Sequence, residues 1–95
     1  MAIAVVLEFK GATLYQYDQV IDKMGLKPQG PGGPGMLSHW VTKTDEGFRV
    51  TDVWATREQF DKFAQDQIGP LTTEVGFPSP PTVTFFEVHN YFTAG

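Results

Sequence analysis

The first third of the chain changes from a strand pattern to a helix pattern. Residues 2–10, AIAVVLEFK, are rich in β-branched residues and end at Gly11, which predicts a first strand. Thr13 and Gln16 then form a capping-box signature that predicts a helix start. Apolar residues follow at helical spacing, at Leu14, Tyr17, Val20, Ile21 and Met24. Gly25 supplies the left-handed residue that ends such a helix.

The rest of the chain predicts three strands and a second helix. The stretch LSHWVTKTDEGFRVTDVW alternates around a polar turn, which predicts strands at 36–43 and 47–55. TREQ, residues 56–59, repeats the capping-box signature. The buried stripe of the helix that follows is Phe60, Phe63, Ala64, Ile68, Leu71 and Val75. Gly69-Pro70 should kink or break this helix, because proline lacks the N–H donor. After the extended linker FPSPP, TVTFFEVHNYF at 82–92 predicts a long last strand.

The resulting order, β-α-β-β-α-β, predicts an α+β fold. It is the split β-α-β, or ferredoxin-like, pattern, and right-handed crossovers give its antiparallel sheet the order 4-1-3-2. We expect one domain over residues 1–95, with both helices on one face of the sheet. The other face would expose apolar residues, so we expect two sheets to close face to face in a homodimer.

The segment KPQGPGGPG, residues 27–35, fits neither a helix nor a strand because of its prolines and glycines. It can be a lid over a site or simply a long connection from helix to strand. Both interpretations are open at this point.

Composition excludes several classes of function. The 95 residues carry a net charge of −4 with only seven Lys and Arg, which argues against nucleic-acid binding. There are no cysteines, so thiolate chemistry is excluded. The apolar start is too short for a membrane span and lacks a signal-peptide pattern, so we expect a cytoplasmic protein without a membrane partner. Eight Phe, three Tyr and two Trp indicate a core, a ligand site or an interface rich in rings.

The hairpin carries two residues unsuited to a strand interior, His39 and Asp52. If Thr44 lies opposite Gly47, His39 falls directly across from Asp52, with Cβ atoms about 5 Å apart. Leu37, Val41, Val50 and Trp54 would share that face. Asp52 would orient the imidazole and make His39 a better base, which predicts a catalytic pair. The alternative is a structural pair that only fixes the strand register.

The run VTDVWATREQFDKFAQDQIGPLTTEVG, residues 50–76, resembles the dimeric α+β barrels that include small antibiotic-biosynthesis monooxygenases. In it a strand ends in an aromatic residue, and a capped helix then closes on a Gly-Pro. The resemblance implies a dimeric barrel, and it implies oxygenase activity on polyketide-type quinols without a cofactor. Cyclases, isomerases and proteins without assigned activity belong to the same superfamily. The first strand lacks the Asn of the haem-degrading members, and both His lie on predicted strands, so no haem is expected.

Further site residues are weaker candidates. Trp54, Tyr17 and Phe63 are predicted walls for a flat aromatic ligand, although aromatic residues at such spacing are often core. His89 shares a predicted strand face with Phe85, Glu87 and Tyr91. No metal site is predicted, since two His and scattered carboxylates show no ligand spacing.

The sequence therefore predicts a small enzyme that abstracts a proton from a phenolic, quinol or polyketide-like compound, with monooxygenase-like activity. A non-oxidative cyclase or isomerase is the first alternative. A ligand-binding or assembly module without turnover is the second.

Overall fold

The computed structural model describes residues 1–93 and contains four strands and three short helices. The strands are β1 (Ile3–Lys10), β2 (Met36–Lys43), β3 (Gly47–Trp54) and β4 (Thr82–Glu87). The helices are α1 (Leu14–Met24), α2 (Arg57–Phe63) and α3 (Gly69–Val75). A π-helical turn, Ala64–Ile68, joins α2 to α3.

The strands form one antiparallel sheet in the order β2-β3-β1-β4. Read from the other edge this is 4-1-3-2, so the predicted ferredoxin-like topology is confirmed. The sheet has two different faces, since side chains alternate along each strand. Val5, Leu7 and Phe9 of β1 are buried toward the helices, whereas Ala4 and Val6 point to the face without helices. We call the latter the open face.

The helix ends follow the sequence signals. Thr13 accepts a hydrogen bond from the Gln16 backbone N–H, and Gln16 Oε1 accepts one from the Thr13 N–H, so the predicted capping box is confirmed. At Thr56 only half of the capping box forms. The Thr56 hydroxyl accepts from the Gln59 backbone N–H, but the Gln59 Oε1 accepts from that hydroxyl and not from the Thr56 backbone N–H. Lys23 of α1 pairs with Glu74 of α3 at 2.9 Å, which ties the two helices together.

The core lies between the sheet and the helices and is dominated by rings. Its buried members are Val5, Leu7, Phe9, Ala12, Phe48, Val50, Trp54 and Phe60. Phe9 stacks on Phe48 with ring centroids 4.8 Å apart, and Trp54 meets Phe60 edge-on at 5.7 Å. Such pairs add to the stabilisation from burial, typically by about 1 kcal/mol each.

The prediction of a strand over residues 82–92 is wrong beyond Glu87. β4 pairs with β1, which begins at Ile3 opposite Glu87. One further bond joins the Val88 N–H to the Ala2 carbonyl, at 3.2 Å. Beyond it β1 offers no residues for pairing, so His89 lies after the strand and is exposed.

The hairpin register departs from the prediction at one end. Met36, not Leu37, lies opposite Trp54, because a bulge between Met36 and Ser38 adds one residue to β2. The predicted pairing holds from Ser38 opposite Val53 through to the turn.

The second helix is interrupted before Gly69-Pro70, at residues Ala64–Ile68, and not at Gly69-Pro70 as predicted. The helical backbone continues through Gly69 and Pro70, and the π-helical turn before them absorbs the disturbance. Pro70 cannot donate to the carbonyl four residues earlier, and the Gly69 N–H bonds to the Ala64 carbonyl five residues earlier. Within residues 1–93, none of the helices is long and apolar enough to cross a membrane.

Candidate active site

The hairpin places His39 directly opposite Asp52, as predicted from the sequence. The imidazole Nδ1 lies 2.6 Å from Asp52 Oδ1. Asp52 is only 2% exposed, whereas the His39 side chain is 25% exposed. The pair therefore runs from a buried carboxylate to a ring that reaches the edge of the core.

Trp54 supports the carboxylate from the other side. Its indole N–H donates to Asp52 Oδ2 at 3.0 Å, and the two residues share one face of β3 because they are two positions apart. Each carboxylate oxygen thus accepts one N–H, which compensates for the burial of a charge. An ionised Asp52 only accepts, so His39 must carry its proton on Nδ1.

Tyr17 completes a chain of hydrogen bonds. Its hydroxyl lies 2.6 Å from His39 Nε2, and the two rings are nearly parallel with centroids 6.0 Å apart. Since Nδ1 holds the proton of the neutral ring, Nε2 accepts and the Tyr17 hydroxyl donates. The hydrogen bonds therefore link Trp54 to Asp52, Asp52 to His39 and His39 to Tyr17.

The surroundings of Tyr17 keep its hydroxyl protonated. Burial raises the pKa of Tyr17 to about 12, and the negative charges of Asp52 and Asp18 act in the same direction. Tyr17 is therefore a hydrogen-bond donor and acceptor across the physiological pH range, and a free tyrosinate is disfavoured.

A partly enclosed cavity of about 680 Å³ adjoins this chain. Tyr17, His39 and Asp52 line one side of it. Apolar side chains of the sheet and α1 form much of the remaining surface, among them Leu7, Phe9, Val20, Ile21, Phe48 and Val50. Residues 26–32 form a further wall, so the Gly/Pro-rich segment is part of the cavity.

Two glycines of the Gly/Pro-rich segment lie against side chains of α2. A Cβ on Gly33 would lie 3.3 Å from the Phe63 ring, and a Cβ on Gly35 would lie 2.5 Å from the Gln59 side chain. Gly35 also has a φ of +87°, which side chains rarely adopt. These glycines let the segment approach α2 closely enough to close one side of the cavity.

The predicted ligand-contacting residues do not all reach the cavity. Tyr17 and Phe63 line it. Trp54 does not; it is fully buried in the core, where it packs against Phe63 and supports Asp52. His89 is also outside the lining and exposed, because β4 ends before it.

Sequence reasoning missed two bonds of the chain. The Trp54–Asp52 bond had a usable signal, since residues two apart on a strand share a face. The sequence signal for the Tyr17–His39 hydrogen bond is weaker: it is only a polar hydroxyl among the apolar residues on the buried side of α1. Its partner depends on how α1 rotates over the sheet, which the pattern does not specify.

Metal-ligating residues do not cluster in this part of the molecule. Within the described residues, no three His, Asp or Glu side chains come together as a metal ion would require.

Fold and site together define a ferredoxin-like α+β protein whose His–Asp pair faces a cavity between sheet and helices. No family profile matches the chain, and no curated protein matches its sequence. Solved structures do match. A protein of Deinococcus radiodurans, provisionally described as an antibiotic biosynthesis monooxygenase, has 12% identity and a TM-score of 0.60, covering 100% of this chain and 99% of that one.

Two proteins of Streptomyces are similar in the same way. SnoaB of Streptomyces nogalater, a cofactor-independent oxygenase, has 15% identity and a TM-score of 0.58, covering 98% of this chain and 96% of that one. The monooxygenase ActVA-Orf6 of Streptomyces coelicolor, in complex with nanaomycin D, has 18% identity and a TM-score of 0.53, covering 99% and 92%. The resemblance to small antibiotic-biosynthesis monooxygenases, based on residues 50–76, is therefore confirmed at the level of the fold.

Proposed function

We propose that the protein is a small cofactor-independent enzyme that abstracts a proton from a phenolic, quinol or polyketide-like aromatic compound, and that it acts as a monooxygenase. The observation that carries this proposal is the Asp52–His39–Tyr17 chain at the side of a largely apolar cavity. A buried carboxylate that orients an imidazole beside a ligand-sized space is the usual arrangement of a general base.

The size and lining of the cavity suit a flat ring compound. A volume of about 680 Å³ lies within the range of small-molecule sites, which is about 300–1,000 Å³. Phe9, Phe48 and Phe63 are among its apolar lining residues, and its polar lining includes the hydrogen-bonded Tyr17, His39 and Asp52. A ligand would therefore place its hydroxyl toward Tyr17 and His39 and its rings against the apolar side chains.

The proton-transfer chain supplies the first chemical step. Asp52 stabilises the imidazolium that forms when His39 takes a proton, and the ligand becomes an electron-rich anion. Dioxygen is the oxidant, and it adds to a ring carbon that carries hydrogen to give a peroxide. The proton on His39 returns to the peroxide, which loses water to leave a carbonyl. One oxygen atom enters the product and the other leaves in water, so no external reductant is needed.

The same anion can also drive an isomerisation or a ring closure without oxygen. The similarity to SnoaB and ActVA-Orf6, which are an oxygenase and a monooxygenase, favours the oxygen-dependent reaction. Oxygen uptake separates the two reactions directly, because a cyclase or an isomerase consumes none.

The test is oxygen uptake with a panel of polycyclic quinols and phenols, corrected for autoxidation. We expect His39→Gln to lower the rate by about 100- to 10,000-fold, the usual contribution of a positioned base. In Asp52→Asn the amide N–H₂ would face Nδ1, so the ring proton should move to Nε2 and the rate should fall similarly. Long-range ¹H–¹⁵N spectra would report this change of tautomer. Wild-type rates in His39→Gln would refute the proposal.

A second copy of this chain is the partner that we propose for the open face. Trp40 and Phe86 are 50% and 54% exposed there, and the half-buried Ala4 and Val6 lie between them across the sheet. An exposed apolar surface of this kind is typical of an interface. Two open faces packed together would form the predicted barrel. A cytoplasmic location stays a prediction.

A further inference from the structure

We infer that Tyr17 is the residue that meets the ligand's hydroxyl group, and that it relays the ligand's proton to His39. The inference rests on the proposed function, since it assigns the route of proton transfer at that same site.

Both nitrogens of His39 already have hydrogen-bond partners. Nδ1 is bonded to Asp52 Oδ1 and Nε2 to the Tyr17 hydroxyl, both at 2.6 Å. A neutral imidazole has a single acceptor nitrogen, and that nitrogen is already occupied. A ligand can pass its proton to Nε2 only by displacing the Tyr17 hydroxyl or by transferring the proton through that hydroxyl.

The Tyr17 hydroxyl can still accept a hydrogen bond. A phenolic oxygen that donates its proton to Nε2 keeps lone pairs, and Tyr17 lines the cavity. Asp52 also lines the cavity but is 2% exposed, and both of its oxygens already accept an N–H. Among the hydrogen-bonded side chains of Trp54, Asp52, His39 and Tyr17, the Tyr17 Oη is therefore the acceptor that a ligand can reach.

Packing against neighbouring rings holds the Tyr17 side chain in place. Its ring meets the buried ring of Phe48 edge-on at 5.5 Å and lies nearly parallel to the His39 ring. Val20, one turn further along α1, is buried against the core. Displacing Tyr17 would break these contacts, whereas a relay leaves them intact.

The relay moves two protons and leaves Tyr17 unchanged. The ligand's O–H bond breaks and its proton passes to Tyr17 Oη, while the Tyr17 proton passes to His39 Nε2. The products are a ligand anion and an imidazolium beside Asp52. Because the pKa of Tyr17 is raised to about 12, the two transfers occur together, without a free tyrosinate.

The charges around the cavity define the ligand class. Asp18 and Asp52 contribute negative charge to the lining, and Lys27 contributes a positive charge. A ligand carboxylate near Tyr17 would be repelled by Asp52 and Asp18. The site therefore disfavours a ligand that carries a negative charge near Tyr17 before reaction, and it suits a ring compound whose hydroxyl is still protonated when it binds.

The test uses 7-hydroxycoumarin, whose absorbance changes when its hydroxyl ionises. The dye is saturated with wild-type protein, Tyr17→Phe or His39→Gln, at a pH where the free dye is mostly neutral. Tyr15→Phe, which removes an exposed hydroxyl from the same helix, is the control. We expect wild type and Tyr15→Phe to ionise the bound dye, and Tyr17→Phe and His39→Gln to lower the ionised fraction about tenfold or more.

A second readout needs no variant. With ¹³Cζ-labelled tyrosine, the Tyr17 signal should move when 7-hydroxycoumarin binds and should not move when coumarin, which lacks the hydroxyl, binds. An unmoved signal with 7-hydroxycoumarin would overturn the relay.

The remaining outcomes separate the relay from the proposed function. If Tyr17→Phe ionises the dye as well as wild type while His39→Gln does not, the ligand meets Nε2 directly and only the relay is wrong. If wild type does not ionise the dye, or if His39→Gln ionises it normally, the relay and the proposed base are both wrong.

Discussion

At the scale of single residues, Asp52 determines the arrangement of the site. A carboxylate that is 2% exposed is costly to bury unless each oxygen is bonded, and here His39 and Trp54 provide the two N–H groups. Because Asp52 fixes the tautomer of His39, it also determines that Nε2 must accept from Tyr17. One buried charge thus sets the direction of the hydrogen bonds in the chain.

Tyr17 should make stability depend on alkaline pH. Its pKa rises from 10 unfolded to about 12 folded, so the neutral form is favoured by folding. The contribution is fully present below pH 10 and is lost as the pH rises from 10 through 12. For a half-buried group we expect about 1–2 kcal/mol. Urea unfolding at about pH 8 and about pH 11 measures it.

Tyr17→Phe isolates this effect, because all other titrating groups remain. The variant should lose less stability between the two pH values than wild type, by about the same 1–2 kcal/mol. Tyr15→Phe, with an exposed ring, should follow wild type. Equal losses in wild type and Tyr17→Phe would show that the hydroxyl ionises in the fold as easily as in the unfolded chain.

The sequence predicted this site in part. Pairing arithmetic from the turn placed His39 opposite Asp52, because a hairpin transmits its register from the turn outward. The same arithmetic failed at Leu37, where the bulge intervenes. Trp54 was expected to contact the ligand, yet it is fully buried and donates to Asp52. Strand alternation predicts which face of the sheet a side chain is on, but not whether it reaches a cavity.

At the scale of elements, Gly47 allows the first strand to approach the hairpin. A Cβ on Gly47 would lie 2.0 Å from the Phe9 carbonyl oxygen and 3.2 Å from that of Ala12, both backbone atoms. These atoms cannot move aside without separating β1 from β3. Position 47, where β3 begins, therefore requires glycine because the backbone around Phe9 leaves no room for a side chain.

Gly47→Ala should destabilise the fold by about 3 kcal/mol or more, since overpacking against backbone has no cheap relaxation. Gly25→Ala is the comparison. It has a φ of +79° with nothing within 4 Å of the added atom, so strain alone should cost about 1–2 kcal/mol. Thermal or urea unfolding ranks the two, and a Gly47→Ala variant no less stable than Gly25→Ala would contradict the packing argument.

Element starts were easier to predict than element ends. The helix beginnings at Thr13 and Thr56 each have a local chemical signal, the capping hydroxyl. The end of β4 has none, because it depends on where the neighbouring β1 begins. The π-helical turn likewise depends on how the segment before Pro70 accommodates a missing donor.

At the scale of the whole molecule, the open face should control the oligomeric state. Trp40→Lys or Phe86→Lys would place a charge on an edge strand of the open face, within the proposed interface, where desolvation is costly. We expect wild type to sediment as a dimer and each variant mainly as a monomer. Tyr15→Lys, on an exposed position of α1, should remain dimeric. A monomeric wild type at micromolar concentration would overturn the proposed homodimer.

The residues of the proposed proton transfer all come from the first half of the sequence, whereas both halves contribute to the cavity wall. Tyr17, His39 and Asp52 all come from the first 52 residues, whereas Phe63, Ile68, Thr72 and Phe77 complete the cavity from the second half. Substitutions at these four later positions would therefore change the shape of the cavity without replacing Tyr17, His39 or Asp52. On the proposed function, such variants would accept different ligands while the route of proton transfer stays the same.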